Sequence, residues 1–158
     1  MHNFTAAWEA TGEQRFLNTA IHLADWWCDH VPEDWVPHYD FDDPERESKT
    51  KDSCSAALAS LALIRLCRYR PELCSRYRPV IENTLTILAQ RYLAEGGLLL
   101  HGSWGDRRWQ SALMFVPPSP DSRFPQEEVM PYGNYYFVEA LYRELVEDWS
   151  LFKLGANG

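Results

Sequence analysis

The chain is predicted to be all-α, a partial α/α toroid of about five helices. Two observations predict this. Apolar residues recur at three- and four-residue spacing in successive segments. Those segments are joined alternately by very short turns and by long irregular stretches, as when inner and outer helices alternate around a ring and the long loops gather at one rim.

The elements follow in order. Asn3 to Ala10 reads as the end of a helix, closed by Thr11-Gly12, because glycine adopts the left-handed backbone that ends helices at no steric cost. From Glu13 to about His30, Phe16, Leu17, Ala20, Leu23, Ala24 and Trp27 form one apolar stripe, so these two segments make a helical hairpin. Residues 31–51 have prolines, dense charge and no period, and are expected to be a long rim loop. Asp52-Ser53 is a helix cap for SAALASLALIRLCRY, which is rich in small residues, apolar around most of its circumference and therefore expected to be deeply buried. Pro71 breaks the chain. A fourth helix runs from about Tyr77 to Ala94 with Val80, Ile81, Thr84, Leu85, Leu88 and Tyr92 on one side, ended by Gly96-Gly97. Residues 98–131 form the second rim loop. The last helix, from about Asn134 to Glu147, carries Tyr136, Phe137, Ala140, Leu141 and Leu145 in helical period, and LFKLGANG is a frayed tail.

Composition bounds the function. A length of 158 residues suits one domain, 1–158, with a core of its own. The net charge of -8 argues against a nucleic-acid partner, and the basic residues from Arg65 to Arg78 and at Arg107-Arg108 read as solvated faces and a loop. No apolar run approaches the roughly 18 residues of a membrane span, and MHNFTAAWEA has no signal-peptide character. Cys28, Cys54, Cys67 and Cys74 show no CxxC spacing, so they are expected to be free thiols in a reducing compartment rather than disulfides or zinc ligands. Aromatic residues make up 14% of the chain. Flat rings give cores their bulk, and they also match the C–H faces of sugars.

Four segments in sequence carry a resemblance: PHYDFDDP (Pro37 to Pro44), KDSCSAALASLAL (Lys51 to Leu63), LLLHGSWG (Leu98 to Gly105) and YGNYYFVEALYREL (Tyr132 to Leu145). Together they resemble the C-terminal half of unsaturated glucuronyl hydrolases, glycoside hydrolase family 88. The resemblance implies a six-hairpin α/α barrel. It also implies hydration of the C4–C5 double bond of a 4,5-unsaturated uronic acid at the non-reducing end of lyase-generated oligosaccharides. The resulting hemiketal opens and releases the rest of the sugar. One aspartic acid protonates the vinyl ether and steers a water, unlike the usual pair of carboxylates at the anomeric carbon.

The family's catalytic aspartates precede the matched segments, so this chain is expected to be an incomplete barrel without the acid, and no catalytic residue is assigned in it. Asp40, Asp42, Asp43 and Asp52 are not promoted to that role; turn and loop hydrogen bonding is the reading for Asp40 and Asp42. His101 matches a family histidine close to substrate, where an imidazole can donate to a uronate carboxylate or a hydroxyl; the alternative is a histidine that ties two loops together. Ser103, Trp104 and Arg108 share its loop, and a ring beside a cation suits an acidic sugar. Trp35 and Trp109 read equally as packing, and core packing is expected for at least two of Tyr132, Tyr135 and Tyr136. His38 stands near carboxylates, but no metal and no cofactor are expected. The partners implied are an unsaturated uronate oligosaccharide and either a second copy or the N-terminal half of the barrel, in the cytoplasm. The competing reading is a non-catalytic helical-repeat protein that binds carbohydrate or protein. Such a protein needs terminal helices with polar outer faces, and FTAAWEA is apolar.

Overall fold

A computed structural model of the chain describes residues 1–48, 51–103 and 129–146. Among them are five α-helices: α1 (His2–Thr11), α2 (Gln14–His30), α3 (Ser53–Tyr69), α4 (Cys74–Arg91) and α5 (Pro131–Leu145). Single turns of 3-10 helix occupy Arg46–Ser48 and Pro71–Leu73. Isolated β-bridges pair His38 with Lys51 and Leu93 with Leu99.

α3 is the centre of the molecule and touches α1, α2, α4 and α5. Thirteen of its seventeen residues are buried. Small side chains explain how one helix can have so many neighbours: Ala56, Ala57 and Ala62 are wholly buried and let adjacent backbones come close, while Leu61, Leu63 and Leu66 fill the spaces between. Burying each such leucine contributes about 1.5–3 kcal/mol.

The α1–α2 hairpin turns on Gly12. Its φ of 70° is left-handed, and its amide donates to the Trp8 carbonyl at 2.7 Å. α2 buries Leu17, Ala20, Ala24 and Trp27, but Leu23 lies at the margin of that stripe and is 40% exposed; Ile21, at the opposite margin, packs against the core instead.

Both boundaries of α4 differ from the sequence reading, and the last helix starts three residues before the expected Asn134, at Pro131. The turn Pro71–Leu73 feeds directly into α4, which begins at Cys74 rather than Tyr77 and carries Pro79 inside it. The expected burial on Val80, Ile81, Thr84, Leu85 and Leu88 holds, with Tyr77 added. α4 ends at Arg91, and Gly96-Gly97 do not cap it. With φ of 101° and 84° they turn a small hairpin, in which the Ala94 amide donates to the Leu98 carbonyl at 2.9 Å and the Leu100 amide to the Tyr92 carbonyl at 2.7 Å.

α5 starts at Pro131, whose missing N–H costs nothing in a first turn, where amides have no intrahelical acceptor. It buries Gly133, Phe137, Glu139 and Ala140; Leu145, expected in the stripe, is 79% exposed. The expected frayed tail, Leu151 to Gly158, lies outside the described residues.

Gly133 is where α5 crosses the start of α3. A Cβ there would stand 2.3 Å from Cys54 Sγ. Gly133→Ala is expected to destabilise the chain by about 1–3 kcal/mol, measured by urea unfolding. Adding Cys54→Ala should recover part of that loss, because the next nearest atom, Cys54 Cβ, is 3.3 Å away.

Candidate substrate-binding site at the start of α3

Asp52 organises this end of the molecule. Its Oδ1 accepts the amide protons of Cys54 at 3.1 Å, Ser55 at 3.4 Å and Ser103 at 3.3 Å. The first two are cap bonds. The third binds a segment 51 residues further along the chain. Burial pushes the Asp52 carboxyl above the ordinary carboxylate range, and the amide bonds oppose that rise in part.

Ser53 completes the seam. Its amide donates to the His101 carbonyl at 3.0 Å, and its hydroxyl donates to the Leu100 carbonyl at 2.5 Å. From the α5 side, Asn134 Oδ1 accepts the Leu99 amide at 2.8 Å. Residues 99–103 are therefore sewn across the beginnings of both α3 and α5. The first long loop joins the same seam, since the Asp52 amide donates to the Pro37 carbonyl at 2.7 Å and Lys51 Nζ lies 2.9 Å from Asp34 Oδ2.

His101 sits within this segment at φ 61°, a left-handed backbone that costs a non-glycine residue about 1–2 kcal/mol. Its half-buried ring meets Tyr92 edge-on, with centroids 5.3 Å apart. Ser103 is also half-buried and holds Asp52 through its amide, so the structure brings His101 and Ser103 together. Trp104 and Arg108, expected in the same site, lie outside the described residues, as does Trp109.

The remaining expectations divide. Asp40 and Asp43 are turn residues: Asp40 Oδ1 accepts the Asp42 amide at 2.9 Å, and Asp43 Oδ1 accepts the Glu45 amide at 2.8 Å. Trp35 packs partly against the core and has a left-handed φ of 66°. Core packing for two of the three tyrosines is overturned, since Tyr132 is 44% and Tyr135 59% exposed, and only Tyr136 packs against the core. Tyr135 lies on the side of α5 away from Gly133 and Phe137, whereas the Tyr132 ring stays half open to solvent while its hydroxyl reaches Cys54 at the start of α3. Among the described residues no group of three His, Cys, Asp or Glu is placed to hold a metal.

Sequence reasoning missed three members of the assembly. Tyr92 closes the apolar side of His101. Asn134 ties α5 to the segment, and its signal was its place in YGNYYF, ahead of an apolar stripe. Tyr132 reaches Cys54 with its hydroxyl, and burial, followed by the Cys54 and Asp52 charges, pushes its phenol up to about 12. His38 is nine-tenths buried, its Nε2 is 4.0 Å from Glu47, and neither ring nitrogen has a hydrogen-bond partner among the described residues.

The architecture is that of an α/α toroid. Crystal structures of an unsaturated glucuronyl hydrolase from Bacillus sp. GL1, described as responsible for the degradation of glycosaminoglycan, superpose with a TM-score of 0.71 at 24% identity, over 91% of this chain and 37% of that one. One specific for heparin superposes with a TM-score of 0.70 at 25% identity, over 90% and 36%. By sequence the chain is 28% identical over 151 residues to the unsaturated glucuronyl hydrolase of Formosa agariphila, which is 91% of this chain and 34% of that protein. No family model matches the chain. The chain is thus a relative of the unsaturated glucuronyl hydrolases, as its four segments suggested, and it spans about a third of their length.

The raised Asp52 carboxyl predicts a pH signature. A carboxyl that binds its proton more tightly when folded loses stability as pH rises from the unfolded value, near 3.8, through the higher folded value, and is constant above it. The stability of the native chain relative to Asp52→Asn should therefore fall with rising pH in that window and then level off. Urea midpoints of both proteins measured between about pH 3 and 7 test this; a difference that grows with pH would contradict it.

Proposed function

We propose that this chain is the C-terminal portion of an α/α-toroid glycoside hydrolase acting on 4,5-unsaturated uronic acid at the non-reducing end of lyase-generated oligosaccharides. It supplies part of the substrate wall and not the proton donor. The observation that carries this reading is the fixed seam at the start of α3, where Asp52, Ser53 and Asn134 hold His101 and Ser103 in place. A binding group must be positioned by rigid elements to discriminate a ligand. Here a strained backbone and a ring contact hold the His101 imidazole.

In this reading the His101 imidazole donates to the uronate carboxylate or a sugar hydroxyl, and the Ser103 hydroxyl offers a second polar contact. Trp104 stacks on the sugar face and Arg108 pairs with the carboxylate edge. The nearby carboxylates are already committed. Asp52 is bonded to three amides, Asp40 and Asp43 hold turns, and Asp34 pairs with Lys51. The resemblance assigns the vinyl-ether proton to an aspartic acid that precedes the matched segments, outside this chain's contribution. The setting proposed is the cytoplasm, where small imported disaccharides are finished.

Unsaturated chondroitin disaccharide is the test ligand. The chain alone should leave the ultraviolet absorbance of the conjugated uronate unchanged, yet bind the disaccharide by calorimetry. Losing one hydrogen bond to a charged group costs about 1.5–3 kcal/mol, so His101→Ala should weaken binding roughly 10- to 100-fold, and His101→Asn, which tolerates the left-handed backbone, should weaken it similarly. Turnover that disappears on mutating an aspartate of this chain would overturn the assignment of the acid elsewhere. Absence of binding would favour the non-catalytic helical protein.

The incomplete barrel also implies a partner for the outer side of α5, where Tyr135 is 59%, Val138 61% and Leu145 79% exposed. That partner is a second copy or the rest of the barrel. Light scattering of the purified chain should show species larger than a monomer, and Val138→Asp should reduce them; a clean monomer at every concentration contradicts self-association.

A further inference from the structure

The turn between α3 and α4 brings two of the four thiols together, away from the seam that holds His101. Cys67 lies in the last turn of α3 and Cys74 is the first residue of α4. Only Arg70 and the 3-10 turn Pro71–Leu73 separate the two helices, so the chain doubles back sharply and sets the two thiols beside each other, close enough for Cys74 to act on the Cys67 thiol. Their environments differ. Cys67 is buried and Cys74 is half-buried. On the solvent side of the pair, Arg78 Nη2 donates to Cys74 Sγ at 3.8 Å, and the same guanidinium is paired with Glu144 of α5.

We propose that Cys74 and Cys67 form a thiol–disulfide exchange site, in which Cys74 is the attacking thiol, Cys67 the resolving thiol, and a small disulfide such as oxidised glutathione the co-reactant. Three features fit those roles. Attack needs access, which Cys74 has and Cys67 lacks. Negative charge on the attacking sulfur has a cation against it in Arg78. Resolution needs a second thiol within bonding reach that does not itself react first. Burial and the hydrogen bond to Cys74 both push the Cys67 thiol up, which keeps it protonated until an adjacent mixed disulfide presents itself.

The exchange balances in two steps. Cys74 gives up its proton to solvent, and its thiolate forms a bond to one sulfur of oxidised glutathione. The glutathione S–S bond breaks, and one glutathione thiolate leaves and is protonated. Cys67 then loses its proton and attacks Cys74 Sγ, the mixed disulfide breaks, and a second glutathione leaves. Two protein thiols are oxidised to one disulfide and one glutathione disulfide is reduced to two thiols. The ring closed spans only the turn between the helices, so it constrains the unfolded chain little and should be readily reversed, unlike a structural crosslink over a long loop. Cys28 and Cys54 make useful internal controls. Burial pushes their thiols up to about 11 and about 12, and they lie on α2 and at the opposite end of α3 from the pair.

The test is exposure of the reduced, full chain to oxidised glutathione, alkylation of the remaining thiols, and tryptic mass mapping. Arg68 lies between the two cysteines, so cleavage there separates them unless they are bonded. The native chain should give a crosslinked Cys67–Cys74 peptide pair that reductant resolves, with Cys28 and Cys54 alkylated. Cys67→Ser should stop at a lasting glutathione adduct on Cys74, and Cys74→Ser should leave Cys67 alkylated and free of glutathione. Circular dichroism of both variants checks that the helices persist. A lasting adduct on Cys74 in the native chain, or oxidation at Cys28 ahead of this pair, overturns the proposal.

Discussion

A helix that begins inside a protein must find acceptors for its first amide protons without help from water. Ser53 and Cys54 are only 0% and 4% exposed, so α3 faces that demand in full. Asp52 meets it with one carboxylate oxygen, and this choice has consequences further out. A buried carboxylate needs hydrogen-bond donors to offset its lost hydration, and a third donor is the Ser103 amide. The Ser53 hydroxyl likewise needs an acceptor and takes the Leu100 carbonyl. Residues 99–103 are thereby fixed over the start of α3, and the left-handed backbone at His101 is tolerated because bonds on both sides determine it. The placement of His101 follows from the capping of α3.

The opposite end of α3 is held by charge rather than by amide bonds. Arg65, 8% exposed, reaches Glu9 and the His2 ring on α1. A helix lined with alanine could pack on α1 in more than one register. A buried guanidinium cannot shift by a turn without losing its carboxylate, and an unpaired buried charge costs several kcal/mol, about 3–5. Burial, followed by the Arg65 charge, lowers the His2 imidazole, in keeping with its role as a neutral neighbour of that guanidinium. The two ends of α3 thus divide the work: one sets register and the other positions polar groups.

Much of the fold was legible because its signals are local. Gly12, the Asp52-Ser53 cap and the apolar circumference of α3 each depend on a few adjacent residues, and each behaves as read. Errors arose where the outcome depends on a neighbour in space. Leu23 and Leu145 fit helical periods but sit at the margin or beyond the reach of a partner helix. Gly96-Gly97 suit a helix cap and a hairpin turn equally, and the pairing of Leu100 with Tyr92 decided for the hairpin. In the candidate site, His101 and Ser103 were visible in LLLHGSWG through the resemblance. Tyr92 and the bond from Asn134 were not, since they join segments far apart in sequence.

A chain that spans a third of its relatives' length can hold a rigid segment because contacts in α/α rings run mainly between neighbours. α3 has neighbours on every side within this chain, so its cap and the segment above it are fully determined here. α5 packs chiefly on α3, and its exposed Tyr135 and Val138 mark where the described core stops. A rigid centre at α3 and an exposed face on α5 therefore coexist in one short chain. Carboxylates of the first long loop are spent on local structure: Asp40 and Asp43 hold turns, and Asp34 pairs with Lys51. Asp52 cannot exchange its proton with a substrate without giving up bonds to the amides that cap α3 and anchor Ser103. A group that fixes the scaffold this firmly is poorly suited to cycling a proton.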